Sequence, residues 1–149
     1  MTMTRDKSGF TLIELLIVIV LIGAMAGFAF PRIGDAITQQ SVRSARGAVV
    51  GLVAKARGTA IQRGSTTRLI VRNNVLYVEA ANPVTGVNQQ VGVAENFTTR
   101  YGVTVQPSHD TLWFDARGIG IESAETAIVV TKGSFAEKVV ISLVGRVIQ

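Results

Sequence analysis

Between Phe10 and Phe30 the chain carries a single ionisable residue, Glu14. No other feature constrains its fold as strongly. A helix of that length, rising ~1.5 Å per residue, is ~31 Å long, close to the hydrocarbon thickness of a bilayer. Arg5 and Lys7, with Asp6, precede it as a short and mildly positive leader, which by the positive-inside tendency leaves the N-terminus cytoplasmic and exports the domain after Pro31. Ala24-Met25-Ala26 offers an A-x-A-like site to an ordinary signal peptidase,. Glu14 argues against that reading, because a carboxylate entering the membrane unpaired costs about 2–3 kcal/mol. A cut between Gly9 and Phe10 compensates it. The new α-amino group lies four residues from Glu14 on the same helix face, within reach of its own carboxylate or, after an axial shift, of a neighbouring chain's.

The rest of the 149 residues reads as one exported domain, and its composition excludes several kinds of chemistry,. There is no cysteine and one histidine, His109, so disulfides, thiolate metal sites, a cysteine nucleophile and a histidine-rich metal site are all ruled out. Ser108-His109-Asp110 holds the three residue types of a hydrolytic triad, but consecutive residues do not place their side chains in a relay, and "PSHD" reads as a turn. Gly118-Ile119-Gly120 lacks the third glycine of a dinucleotide fingerprint, Ser123 standing in its place,. Asp110 and Asp115 do not make a calcium loop. No enzymatic site, cofactor or metal is therefore expected.

After Pro31, which should kink or interrupt the helix, the helical pattern resumes. Val42, Ala45, Val49, Leu52, Ala56 and Ala60 form one apolar stripe to about Gln62, and Gly64 supplies a stop,. Arg43, Arg46 and Arg57 fall within ~60° of one another, away from that stripe. Gly47-x-x-x-Gly51 has the spacing of close helix contacts. Then the period changes to two: "TTRLIVR", Asn73-Asn74 and "VLYVEA" predict a β-hairpin, because asparagine tolerates the left-handed conformation that a two-residue turn needs,. Residues 81–96 read as a long loop or irregular edge. Strands are predicted at "YGVTVQ", "TLWFDA", "TAIVVTK" and "KVVISL". The fold class is α+β: a long N-terminal helix, half transmembrane and half amphipathic, packed on a C-terminal antiparallel β-sheet.

The stretch "GFTLIELLIVIVLIG", with Gly9 before Phe10, a glutamate at the fifth position of the cut chain and Pro31 closing the apolar run, resembles the N-terminus of type IV pilins and pseudopilins. The resemblance implies that a prepilin peptidase cleaves after Gly9 on the cytoplasmic side and methylates the amine of Phe10. The helix then holds the subunit in the inner membrane until it is extracted into a filament, with Glu14 as an assembly residue. "ARGTAIQRG", "TLWFDARGIG", "AIVVTKG" and "EKVVISLVGRVIQ" are similar to the GspH/FimT group of minor pseudopilins, chiefly through Phe114, Gly118 and Gly145-Arg146.

On this resemblance residues 1–9 are a leader, 10–30 a transmembrane and filament-core helix, 31–64 an amphipathic helix, and 65–149 a periplasmic β-sheet domain. The implied role is a non-enzymatic minor pseudopilin of a type II secretion system, whose partners are other pseudopilins, the inner-membrane assembly platform, prepilin peptidase and the membrane itself. The alternative is a type IV pilus minor pilin of the FimT kind that takes up DNA, using Arg43, Arg46 and Arg146. Eight basic residues against one acid, Asp35, between Arg32 and Arg72 suit that alternative,. Against it, no aromatic lies in that stretch, and Gly145-Arg146-Val147-Ile148 lacks the second arginine of the Gly-Arg-x-Arg motif implicated in such proteins,.

Overall fold

Thr11 opens the first element by capping it: its Oγ1 accepts the Glu14 backbone N–H at 3.2 Å and its carbonyl that of Leu15 at 3.2 Å. The computed structural model describes residues 10–148, with side chains omitted for 28–32. The leader, Gly9 and its scissile bond lie outside the described residues. From the cap, helix α1 runs over Leu12–Arg63. It is continuous through Pro31, so the interruption expected there does not occur; a proline removes one i→i−4 hydrogen bond, and the helical turns on both sides carry the element across. The chain divides into two compact units, the first ending at Ile37 and the second beginning at Thr38.

In the second unit the expected stripe is the core. Val42, Ala45, Val49, Ala56 and Ala60 are fully buried and Leu52 nearly so, with Val53 added to them. Strands β1 (Thr67–Arg72) and β2 (Val75–Ala81) form the predicted hairpin, paired from Thr67 opposite Ala80 to Arg72 opposite Val75. Asn73 and Asn74 take φ of 52° and 62°, the left-handed pair that a two-residue primed turn requires,. The Asn74 side chain does more than tolerate the turn: its Oδ1 accepts the Val105 N–H at 2.8 Å, joining the hairpin to a distant strand.

The irregular stretch after β2 contains two short strands, β3 (Asn88–Gln90) and β4 (Glu95–Asn96), both laid against β2. Where the sequence suggested a strand starting at Tyr101, the chain first makes a short helix, α2 (Phe97–Tyr101). Asn96 caps it by accepting the Thr99 N–H at 3.0 Å, and Gly102 ends it at φ 65° with its N–H on the Thr98 carbonyl. The strand itself is β5 (Thr104–Pro107), and β6 (Thr111–Phe114) and β7 (Thr126–Lys132) match the predicted segments, while β8 (Phe135–Ile141) begins three residues before the predicted Lys138. A short β9 (Val147–Ile148) closes the chain.

These strands form two antiparallel sheets rather than one. The first has the order β3-β2-β1-β6 with β4 beside β2, and the second β5-β7-β8-β9. Their inward residues, among them Leu69, Leu76, Leu112, Ile128 and Val139, join the α1 stripe in a single apolar cluster with Phe97 and Phe114. Burying each such side chain stabilises the domain by about 1.5–3 kcal/mol.

Candidate assembly site on the N-terminal helix

The first unit is built differently. Around α1 from Leu12 to Ile22 every large aliphatic side chain is exposed, the least of them, Val18, at 42%. The exposure covers all faces of the helix, a pattern stable only when a membrane or other helices surround it. Among the described residues no helix is long and apolar enough to cross a membrane; the apolar run of the sequence continues into Phe28, Ala29 and Phe30, whose side chains are outside the described set.

At the head of this helix stand Phe10, 75% exposed, and Glu14, also exposed and without an ion pair among the described residues. Sequence reasoning missed that Thr11 and Glu14 have the spacing of a capping box, in which the first residue satisfies an orphan N–H of the helix and the acid sits at its positive end. Thr11-x-x-Glu14 is the signal that would have found it. Glu14 thus completes the helix start through its backbone N–H, and its side chain is exposed in the first turn of α1.

The arginines proposed for nucleic acid do not form one free set. Arg43 is exposed on α1, but Arg46 faces Glu137 of β8, Nε to Oε2 3.9 Å, with that nitrogen buried and without a hydrogen bond. Arg57 turns to the 115–125 loop and donates from Nε to the Gly118 carbonyl at 3.0 Å. Arg146 sits exposed in the turn between β8 and β9, its N–H on the Ser142 Oγ at 3.1 Å. Two of the three helix arginines thus serve packing of α1 on its neighbours, which the 100° rule could not see because it places side chains on a bare helix.

Gly47 and Gly51 are also corrected as close-contact residues within the chain: a Cβ on either would meet nothing within 4 Å. Ser108 and His109 share a 3.2 Å contact, Oγ to Nδ1, but Ser108 Oγ is also the acceptor for Ala127 N–H at 3.0 Å, a turn-to-strand bond rather than a relay. Asp115 organises the next turn. Its carboxyl is held below the ordinary carboxylate range first by the Ile119 N–H and then by Arg117.

The N-terminal segment over residues 4–30 matches the prokaryotic N-terminal methylation motif. Over almost its whole length the chain is 30% identical to the pilin-like protein PilA1 of Thermus thermophilus, the alignment covering 94% of this chain and 96% of that one. The chain belongs to the type IV pilin-like family. Its fold agrees: the crystal structure of the type IV minor pilin FimU from Pseudomonas aeruginosa PAO1 superposes with a TM-score of 0.59 at 15% identity, covering 72% of this chain and 87% of FimU. A second crystal form of FimU superposes with a TM-score of 0.52 at 17% identity, covering 70% and 89%. The long helix followed by antiparallel sheets is thus the minor pilin architecture, reached here from the α1 stripe and the strand pattern.

Proposed function

We propose that this pilin-like chain is a non-enzymatic structural subunit, a minor pseudopilin of a type II secretion pseudopilus. In this reading prepilin peptidase cuts after Gly9 and methylates Phe10, residues 10–30 cross the inner membrane once, and the C-terminal domain is periplasmic. The observation that carries the reading is the exposed, all-round apolar first half of α1 headed by Phe10 and Glu14. Such a helix demands apolar partners, and Glu14 demands a cation among them. Other pseudopilin helices and the assembly platform supply the first, and the amine of a neighbouring Phe10 the second. The secretion machine is preferred to DNA uptake because Gly145-Arg146-Val147-Ile148 lacks the second arginine of the Gly-Arg-x-Arg motif.

The pilus alternative, with DNA as ligand, draws on the basic run of the sequence. Arg46 and Arg57 are engaged within the domain, which leaves Arg43 and Arg146 to carry it. DNA binding that falls with salt and is lost in Arg43→Ala or Arg146→Ala would move the assignment to that alternative.

Replacing Glu14 with Leu tests the assembly role. Membrane insertion is expected to persist or improve, since a cost of about 2–3 kcal/mol is removed, while the amount of subunit recovered in sheared filaments falls sharply. Incorporation at the wild-type level would sink the role assigned to Glu14.

A further inference from the structure

Strand β9 covers only the last two residues of β8, Val140 and Ile141. From Phe135 to Val139, β8 is therefore an open edge of the second sheet. In an antiparallel ladder alternate residues turn their N–H and C=O groups to opposite sides. The Ser142 N–H goes to the Arg146 carbonyl at 2.8 Å, on the β9 side. Ala136 and Lys138, in step with Ser142, direct theirs the same way, where no hydrogen bond reaches them among the described residues. The other edges are closed or short. On β5 the Asn74 side chain takes the outward Val105 N–H, and Pro107 has none to offer. On β6 the Glu122 carboxylate takes the Trp113 N–H at 3.0 Å, and the Ile121 N–H reaches the Trp113 carbonyl at 3.2 Å. The edges at β3 and β9 are three and two residues long. The uncapped stretch of β8 is left as a template for another strand.

A second feature lies beside that edge. Glu137 of β8 reaches Arg46 of α1 only at 3.9 Å, and the Arg46 Nε is buried without a hydrogen bond, an unfavourable state for a donor. Side chains of neighbouring strands that lie side by side share a face, so the residue of an added strand alongside Glu137 would face Arg46 too. Arg43 and Val50 share that side of α1 by helical spacing. A Cβ on Gly47 would meet nothing within 4 Å, which leaves room there. The charge is one-sided. After Asp35, α1 carries no acid to its end at Arg63. The edge itself has Lys138 beside its one acid, Glu137, while Lys132, before the β7–β8 turn, is held by Ser41 and the Tyr101 carbonyl.

We infer that the open edge of β8 takes up an extended acidic peptide, which joins the second sheet as a further strand and sets a carboxylate against Arg46. Main-chain bonds to Ala136 and Lys138 supply the binding, and Arg46, Arg43 and Lys138 select acidic segments over basic ones. The occupant is a segment without strand partners of its own, which a folded domain with its strands already paired does not offer. Two β8 edges brought together would set these cations against their own kind, which guards against self-pairing.

The test titrates the isotope-labelled full chain in detergent micelles with a short capped peptide alternating valine and glutamate, and with its valine–lysine counterpart. Expected are slower hydrogen exchange at the Ala136 and Lys138 amides with the glutamate peptide, and an affinity for it about tenfold above that for the lysine peptide. Arg46→Met should cut that preference to about threefold. Ala136→Pro removes an outward N–H but no bond to β7, so it should abolish binding while the β7–β8 amides stay protected. No slowing at the two amides at millimolar peptide, slowing at other edges instead, equal affinity for the two peptides, or undiminished binding by a folded Ala136→Pro chain would each overturn the inference. Should that variant fail to fold, the exchange result on the unsubstituted chain decides.

Discussion

The two halves of α1 are one continuous helix with opposite relations to their surroundings. From Leu12 to Ile22 every large side chain is exposed, whereas from Val42 to Ala60 a regular stripe is buried under two sheets. The difference lies in the apolar pattern. The first half is apolar on all sides, so no single face of a small domain can cover it, while the second confines its apolar residues to a face that β1, β2, β6, β7 and β8 can close over. One helix thereby joins a self-sufficient domain to a segment whose partners lie outside the chain.

Introducing a charge is the strongest way to break that contrast. Val49→Asp puts a carboxylate into a fully buried site and is expected to cost about 3–5 kcal/mol, read as a fall in the denaturation midpoint of the domain. Leu16→Asp, at a residue 52% exposed, should leave that midpoint within about 0.5 kcal/mol and instead impair insertion. Equal effects on the midpoint would refute the division.

A smaller effect tests how the hairpin is tied to the rest of the domain. Glycine suits the left-handed φ of Asn74 at least as well as asparagine, so a purely local turn would tolerate Asn74→Gly. The side chain also accepts the Val105 N–H, and its removal should cost about 1 kcal/mol and expose that amide to faster hydrogen exchange. Asn73→Gly, whose side chain makes no such bond among the described residues, serves as the matched control, and a loss of the same size there would place the effect in the turn.

Gly51→Ala should move stability the other way. Since nothing lies within 4 Å of the added methyl, the helix should gain about 0.5–1 kcal/mol. A stabilised domain that still enters filaments normally would show that no other subunit approaches Gly51. Reduced entry would extend the need for outside partners into the second half of α1.

Much of this architecture was legible in the chain because it follows local periodicity. The stripe from Val42 to Ala60 needs only the 3.6-residue repeat, and the hairpin only alternation and two asparagines. Helix α2 was missed: Asn96 and Gly102 are its cap and stop, but Phe97–Tyr101 is too short to show a repeat. The N-terminal signature was the most legible feature, because the methylation motif over residues 4–30 is a local pattern of residue types.

The amino-acid sequence by itself determined the apolar segment with its one carboxylate, the buried face of α1 and the succession of strands, all set by interactions between residues near one another in the chain. Only the tertiary structure decided that the strands divide into two sheets, that Arg46 and Arg57 turn inward to Glu137 and the Gly118 carbonyl, that Asn74 reaches Val105, and that Gly118 packs against Ile61. Each of these joins segments far apart in the chain. Such contacts form only once the common core brings their backbones together, and no local period encodes them.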